Sequence, residues 1–191
     1  SQLVHDTENR LLSRGPRHRL DAEVIRDNAL ATSGLLVDSI GGPSVYPYHP
    51  KGLWLELNNR PGYSRTYKQD SGDKLYRRSL YTYWKRTVPP PSMATFDAPE
   101  REFCLVRRSR TNTPLQAFVM LHDPQFVEAA RHLAYRMINA RLNLNERIEH
   151  GFRIATSRIP NAKEREILSQ LYLQRLEFYR QQPASAKILI S

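Results

Sequence analysis

The sequence lacks most of the features that place a protein in a class at first sight. Cys104 is the single cysteine among 191 residues, so no disulfide can form within the chain. No CxxCH motif is present to attach haem, and no run approaches the roughly 20 apolar residues that span a membrane. The histidines are not spaced as metal ligands, and there is neither a signal peptide nor an initial methionine. We therefore expect a part of a longer protein, with no cofactor or metal of its own.

Glycine is also scarce, with 8 residues against 13 prolines, which favours rigid and extended connections over flexible ones. Hydrophobic residues make up 40% and charged residues 25% of the chain, and this ordinary balance argues against disorder. A chain of 191 residues can form one domain with a sizeable core. We predict a single domain over residues 1–191, in which residues 1–20 form a lead-in arm.

Positive charge is what the chain has in excess, with a formal net charge of +10. Eight basic and three acidic residues lie between Arg77 and Arg110, so about half of the excess falls in that segment. Such clustering attracts polyanions: nucleic acid, sulfated or uronic polysaccharide, anionic lipid, or the acidic face of a partner protein. Charge alone does not choose among these partners.

The N-terminal half shows few periodic signals. A turn is predicted at Gly15-Pro16, and Asp21 is placed to cap a helix, across which Leu20 can pack on Ile25. The apolar stripe of that helix comprises Ala22, Ile25, Ala29 and Leu36. Residues 41–74 are rich in glycine, proline and tyrosine. They predict a long ordered coil, pinned to the body by Tyr46 and Trp54, with short strands as an alternative.

The next segment, Leu75 to Thr87, is ambiguous by period. Its aromatic and apolar residues recur at i, i+4, i+7 and i+8, as Tyr76, Leu80, Tyr83 and Trp84. This spacing predicts a helix that ends before the three prolines at residues 89–91.

The C-terminal half carries repeated helix-start signals. Thr113-Pro114 and Asp123-Pro124 each place a capping side chain before a proline at the first helical position. Asn161 with Glu164 has the capping-box pattern. The predicted helices run over residues 114–121, 124–140, 145–158 and 162–182. Two predicted inward stripes are Phe126, Ala130, Leu133 and Met137 in one helix, and Ile167, Leu171 and Phe178 in another. The fold class is therefore mainly α, with a helical bundle over residues 111–182 and irregular coil in the N-terminal half.

A candidate anion site lies where three arginines precede a helix start. Arg107, Arg108 and Arg110 stand beside Asn112 and, further into the helix, Gln116. Guanidinium groups near free helix amides suit phosphate, sulfate or carboxylate. The structural alternative is that Asn112 or Thr113 caps the helix while the arginines pair with Asp97, Glu100 or Glu102, and capping is the commoner role of such residues.

A second candidate surface is the run RRSLYTYWKR, which mixes four cations with three aromatic residues. In a functional interpretation, the aromatic faces stack on sugar rings or bases while the cations hold anionic groups. In a structural one, the periodic apolar residues belong to the core and the charges face solvent. The residues predicted to bind an anion or partner here are Arg77, Arg78, Lys85 and Arg86, with Tyr81 and Tyr83 as aromatic contacts.

The remaining reactive residues favour structural roles. His122-Asp123 resembles an acid/base pair, but neighbouring residues do not face each other, and Asp123 suits the N-cap of the following helix. Cys104 between Phe103 and Leu105 predicts a buried small hydrophobe and not a nucleophile. Asp97, Glu100 and Glu102 form either a catalytic acid/base pair or salt bridges, and the many arginines in this segment favour salt bridges.

Several runs of the chain resemble a known family. These are RLDAEVIRDNAL, GGPSVYPY, YRRSLYTYWKRTVPPPSMATFDAPEREFC, RRSRTNTPLQAFVMLHDPQFVEAAR and RIATSRIPNAKE. They are similar, in the same order, to the C-terminal domain of long planctomycete-type proteins, the domain of unknown function 1553. That resemblance implies cytochrome c-like domains and a partner domain upstream, haem c on those other domains, and a periplasmic or cell-envelope location. It carries over no catalytic residues.

Three functions follow as hypotheses, and the sequence does not decide whether the chain is catalytic. The first is an accessory helical domain that docks to upstream domains, or to an anionic glycan, through a basic face. The second is part of a polysaccharide-active enzyme whose site is shared between domains, with Arg108 and Asn112 as its tested residues. The third is non-specific nucleic-acid binding, which has only charge in its favour and which an envelope location opposes.

Overall fold

A computed structural model describes residues 6–12, 19–57, 65–140 and 143–190 of the chain. The predicted turn at Gly15-Pro16 and residues 58–64 of the predicted coil lie outside this part. The described chain is mainly helical, which confirms the predicted fold class. Its α-helices are α1 Ala22–Ser33, α2 Leu53–Leu57, α3 Pro91–Thr95, α4 Pro114–His122, α5 Pro124–Ala140, α6 Leu144–Thr156, α7 Ala162–Gln181 and α8 Pro183–Ile190.

Helix α1 begins after Asp21, as predicted, and ends one turn earlier than its apolar stripe suggested. Gly34 follows the helix with φ 82°, a left-handed conformation that glycine adopts without steric cost, and its N–H donates to the Ala31 carbonyl. Leu36 lies beyond this cap, so its predicted place on the stripe of α1 is wrong. The side that α1 buries consists of Ala22, Arg26, Leu30 and Ser33.

The helix predicted over Leu75–Thr87 is wrong. This segment contains two short 3-10 turns, Gly72–Tyr76 and Ser79–Tyr81, followed by extended backbone. Its backbone groups bond to another segment: Val45 N donates to the Tyr81 carbonyl at 2.8 Å, and Tyr83 N donates to the Val45 carbonyl at 2.8 Å. Because these bonds replace the i to i−4 ladder, the helix-like spacing of aromatic residues was misleading. The third proline of the following run, Pro91, begins α3 instead of only ending a helix.

Where the structure describes it, the predicted coil over residues 41–74 is largely irregular and contains the short helix α2. In place of strands there are isolated bridges, of which Val37 pairs with Arg77 and Val45 pairs with Thr82. The division of the whole chain into one domain with a lead-in arm stays a prediction.

The starts of α4, α5 and α7 are those that the capping signals predicted, whereas α6 begins one residue before the predicted Asn145 and α8 was not predicted. Thr113 precedes α4, and the Asp123 Oδ1 atom accepts from Gln125 N at 3.0 Å at the start of α5. The capping box predicted for Asn161 and Glu164 is present at the start of α7. Helix α6 begins at Leu144, since the Asn143 side chain accepts from Glu146 N at 2.9 Å.

The main core is formed where α1 and α5 pack together, with residues of α3 and of the segment after it contributing to it. It comprises Ala22, Met93, Phe96, Ala98 and Phe126, with Ile25, Ala29, Trp84 and Val119 packed against it. On α5 the buried alanine is Ala129, whereas the predicted Ala130 is exposed. The predicted and the observed stripes both begin with Phe126. The predicted stripe continues four residues later, at Ala130, whereas the buried one continues three residues later, at Ala129.

Helices α6, α7 and α8 follow one another away from this core, with α6 on α5, α7 on α6 and α8 on α7. Helix α7 buries no residue fully. Its predicted inner stripe of Ile167, Leu171 and Phe178 is 40–53% exposed, so that assignment is wrong. The half-buried side of α7 includes Leu168, Leu176 and Tyr179. Because α7 has apolar residues on two sides, their spacing alone did not distinguish the half-buried side from the exposed one. None of the helices described is both long and apolar enough to cross a membrane.

Candidate functional site

A buried arginine organises the region that holds the predicted site residues. Arg26 is 3% exposed, and its guanidinium donates to Gln125 Oε1 at 2.7 Å, to the Arg77 carbonyl at 2.9 Å and to the Leu75 carbonyl at 2.7 Å. Burial lowers the pKa of Arg26, against the favourable charge of neighbouring Asp27. The residue therefore links α1 and α5 to the irregular segment between them.

The same two helices hold the irregular segment at further points. On α1, Asp27 Oδ1 accepts from Ser79 N at 2.7 Å. On α5, the two carboxylate oxygens of Glu128 accept from the hydroxyls of Tyr48 at 3.0 Å and Tyr76 at 2.9 Å. Burial and the bond to Glu128 raise the pKa of both tyrosines, which keeps the phenols protonated as donors. Polar side chains on two helices thus replace regular backbone pairing in this part of the molecule.

Arg77 lies within this framework and does not face solvent. It is buried, and its guanidinium donates to the carbonyls of Ser39 at 2.9 Å, Pro43 at 3.1 Å and Gly41. The guanidinium carbon lies 3.9 Å from the centre of the Tyr81 ring, and the Tyr81 hydroxyl accepts from Gly41 N at 2.8 Å. Arg77 and Tyr81 together therefore hold the turn at residues 39–43.

Tyr83 belongs to an aromatic cluster on the other side of this segment. Its ring stacks on Tyr46 with centroids 4.7 Å apart and lies 5.9 Å from Trp54. The Lys85 ammonium lies 4.3 Å from the centre of the Trp54 ring. Tyr46 and Trp54 thus pin the coil as predicted, and Tyr83 contributes one wall of the contact.

Three more of the predicted cations are paired with carboxylates of α1 and the residue before it. Arg108 binds Glu23 through two hydrogen bonds of 2.7 and 3.2 Å, and Arg110 lies 3.9 Å from Asp21. Arg78 lies 3.9 Å from Asp27. Burial opposes ionisation of Glu23 most strongly, but the hydrogen bond from Arg108, a backbone hydrogen bond and the charges of Arg108 and Arg101 together outweigh it and lower the pKa of the carboxyl. The partners are not the acids at residues 97–102 that the sequence suggested.

The turn before α4 is held by Asp97 and Gln116. Asp97 accepts from Thr111 N at 2.7 Å and pairs with Arg19, so its pKa is lowered although burial acts the other way. Gln116 is buried; its Nε2 donates to the Thr95 carbonyl at 2.9 Å, and its Oε1 accepts from Thr113 N at 3.4 Å. Gln116 therefore joins α4 to α3, and Thr113, not Asn112, occupies the cap position.

Arg86, Arg107 and Asn112 are the predicted site residues with the most freedom to meet a ligand. All three are exposed, and neither arginine forms an ion pair or hydrogen bond with any other residue that the structure describes. Asn112 lies on a groove of about 550 Å³ bordered by α1, α4 and α5, whose apolar wall includes Ile25, Ala29 and Met120. Ligand binding at these positions stays a prediction.

A comparison with protein families agrees with the family resemblance of the sequence. A family model described as PSD1, a protein of unknown function (DUF1553), matches residues 1–172. The chain belongs to the DUF1553 family. No curated protein and no solved structure gives a significant match to it. The haem-associated, envelope setting implied by the resemblance stays a prediction.

Within this DUF1553 domain, one predicted burial is wrong and one structural role is confirmed. Cys104, which the sequence predicted to be buried, is exposed, as are its apolar neighbours Phe103 and Leu105. Asp123 caps α5, as expected, while the His122 ring lies 4.2 Å from that of Phe118. The described residues contain no group of three histidine, cysteine or acidic side chains placed to hold a metal ion.

The residues that the sequence interpretation missed are Arg26, Asp27, Gln125 and Glu128, which hold the irregular segment that carries Arg77 and Arg78. One signal was available for Arg26. It lies four residues from both Ala22 and Leu30, in the middle of the buried stripe of α1, and a charged residue at such a position predicts a buried partner network. The partners themselves lie 49 to 99 residues away in the chain, beyond any local pattern.

Proposed function

We propose that this DUF1553 domain is an accessory module that docks onto another protein domain through the outward side of α4. The observation that carries the proposal is the exposure of Leu115, Phe118 and Leu121, which are between 58% and 70% exposed. They follow one another every three residues and so lie along one side of the helix. A row of large apolar side chains in water is typical of a surface that a partner covers.

The rest of α4 holds this side in place. Gln116 is buried and bonded to α3, and Val119 packs against the core cluster. Because these two residues fix the rotation of the helix, the apolar row cannot turn inward without breaking the Gln116 bonds. The exposure is therefore a property of the folded domain.

The composition of this surface favours a protein over a glycan or nucleic acid. The row carries no hydrogen-bonding group of the kind that sugars and bases require, whereas apolar side chains spaced along one side of a helix are typical anchors in a groove of another protein. Arg107, which is exposed, precedes the same helix, and the chain has a net charge of +10. The matching partner presents an apolar patch with acidic groups at its edge. We propose that it is an upstream domain of the same polypeptide.

Cysteine labelling tests the proposal at the level of one side chain. In a Cys104→Ser background, Phe118→Cys reports on the docking side, and Leu80→Cys, at an exposed position on a different segment, serves as the matched control. Reaction with a maleimide is timed for the domain alone and for the domain joined to the upstream domains. Docking slows labelling at position 118 at least tenfold in the longer protein and leaves position 80 unchanged. Equal rates at position 118 in both proteins contradict the proposal.

A further inference from the structure

Helix α7 carries a row of apolar side chains on its outer side. Ile167, Leu171 and Phe178 are 53%, 47% and 40% exposed. They are spaced four and seven residues apart, so they lie along one side of the helix. The half-buried residues Leu168 and Tyr179 lie on a different side of α7, which contacts α6 and α8. The row is therefore an outer surface of the folded chain.

The position of α7 in the fold leaves this row without a neighbour in the described part of the chain. Helices α5 to α8 contact one another in chain order, α5 with α6, α6 with α7 and α7 with α8. In a series of this kind the outermost elements need a polar outer surface if nothing further packs on them. Helix α7 presents the apolar row there instead, with Tyr172 and Leu173 also exposed. One more element thus fits against the end of the series.

The surroundings of the row are nearly neutral, although the chain as a whole has a net charge of +10. The uncharged polar residues three or four positions from its members are glutamines: Gln170, Gln174, Gln181 and Gln182. Lys163 and Glu164 at its N-terminal end carry opposite charges, which leaves Arg175 as the cation beside the middle of the row. Such a surface does not select an acidic or a basic partner. Its balance of apolar groups and amides suits a second copy of itself.

An antiparallel copy of α7 covers the row from end to end. When two rows are paired about their midpoint, Ile167 of each copy meets Phe178 of the other, and Leu171 meets Gln174. The same residues then form both halves of the contact. This is the two-fold symmetric arrangement that is commonest among homo-oligomers.

The antiparallel register also keeps like charges apart. Arg175 of each copy lies opposite Gln170 of the other, and Lys163 lies opposite Gln182. The side-chain carbonyl of Gln170 can accept a hydrogen bond from the Arg175 guanidinium. In a parallel pair, Lys163 and Arg175 would each lie beside their own counterparts, and like charges in contact are destabilising. Charge complementarity therefore favours the antiparallel pair.

We propose that two copies of this chain associate through α7, with the helices antiparallel and the rows of Ile167, Leu171 and Phe178 in contact. Removal of these side chains from water drives the association, while the net charge of +10 on each chain opposes it. Because one pair of helices forms a small interface, the association is weak, with a dissociation constant in the micromolar range. The proposal goes beyond docking through α4, since no residue of α4 takes part.

Disulfide formation between single-cysteine variants tests the register. In a Cys104→Ser background, Ile167→Cys and Phe178→Cys are prepared separately, mixed and oxidised, and the products are identified by mass spectrometry. We expect the mixed dimer to form at least tenfold faster than either homodimer. The reason is that position 167 of one copy lies about 16 Å along the helix from position 167 of the other. Homodimers that form as fast as the mixed dimer, as a parallel pair would give, overturn the proposal.

Analytical ultracentrifugation of the 191-residue chain measures the association itself, at concentrations up to about 300 µM. Leu171→Glu places a carboxylate in the apolar contact and should raise the dissociation constant at least tenfold. The new carboxylate stands four residues before Arg175, a spacing that favours the helix, and circular dichroism verifies that the fold is kept. Leu80→Glu makes the same change at an exposed position on a different segment and should leave the dissociation constant unchanged.

Salt separates apolar association from association through opposite charges. An increase in sodium chloride from about 0.05 to 0.5 M screens the repulsion between the two chains, so the dimer should become tighter. A dimer that weakens with salt overturns the proposal. It is overturned as well by a chain that stays monomeric over the whole concentration range, or by a Leu171→Glu variant that associates as tightly as the parent.

Discussion

The irregular segment between α1 and α3, described over residues 34–57 and 65–90, and the C-terminal helices, residues 144–190, are ordered by different means. In the irregular segment, backbone groups bond to buried side chains from distant parts of the chain, above all Arg26. In the C-terminal helices the backbone bonds are internal, and α7 has no fully buried residue. The irregular segment thus depends on a few polar contacts between residues far apart in the sequence. The C-terminal helices depend on hydrogen bonds within each helix and are only sparsely packed.

This difference predicts different responses to substitution. A buried guanidinium bonded to several carbonyls cannot be replaced without leaving acceptors unsatisfied in a place that water does not reach. An exposed helix loses a few tenths to one kcal/mol for a changed side chain or cap. The irregular segment should thus be sensitive at single positions, whereas the C-terminal helices should tolerate most changes.

The largest effect is expected for Arg26→Met. Loss of the guanidinium leaves the carbonyls of Leu75 and Arg77 and the Oε1 atom of Gln125 without this donor, and we expect the free energy of unfolding to fall by about 3 kcal/mol. Urea unfolding followed by circular dichroism measures this change. Arg86→Met, at an exposed position, is the matched control and should stay within about 0.5 kcal/mol. Equal effects of the two variants would show that the buried network is not what orders the segment.

Gly151→Val should have the next largest effect, at the place where α6 approaches α5 closely. A β-carbon on Gly151 would lie 2.5 Å from Met137 Sδ, so the added side chain displaces Met137 and costs about 2 kcal/mol. Met137→Ala opens that space, and the double variant should recover about 1 kcal/mol of coupling free energy in a double-mutant cycle. Additive single-variant effects would mean that the two residues do not touch.

Removal of the α7 cap should have a smaller effect. Asn161 accepts from Glu164 N at 2.9 Å, and Asn161→Ala should lower the free energy of unfolding by about 1 kcal/mol. Asn112→Ala is the control, since it makes the same substitution at an exposed position that caps no helix. If only the amides in the first turn of α7 lose protection from hydrogen exchange, the C-terminal helices are stabilised locally, as the contrast with the irregular segment requires. A uniform loss over the whole chain would argue for tighter coupling between the regions.

The smallest effect concerns ionisation at the same cap. Hydrogen bonds from Arg158 and from Asn161 N lower the pKa of Glu164 to about 2 from its ordinary value of 4.5. Because the folded pKa is depressed, the stabilisation is fully present above pH 4.5 and is lost as the pH falls towards 2. Arg158→Gln should move the pKa of Glu164 back towards 4.5, as measured by following the chemical shift of its side-chain carboxyl carbon by NMR during a pH titration. Arg165→Gln, on the same helix, should not move it.

Prediction from the sequence was accurate for the starts of several C-terminal helices and inaccurate for the irregular segment. The starts of α4, α5 and α7 were predicted because Thr113, Asp123 and Asn161 act on their own helix within three residues. The helix predicted over Leu75–Thr87 was wrong because its backbone partners lie elsewhere in the chain. At the candidate site, ligand binding by residues 107–116 stays a prediction, and the acids that pair with Arg108 and Arg110 were assigned wrongly.

Local chemistry therefore accounts for the fold class, the helix starts and the excess of positive charge, since each depends on neighbours in the chain or on composition alone. Tertiary structure decided which side of α7 is packed, that Arg77 and Gln116 are buried, and that Cys104 is exposed. The physical reason is that burial and long-range hydrogen bonds depend on which segments meet, and periodicity in a single chain does not encode that meeting.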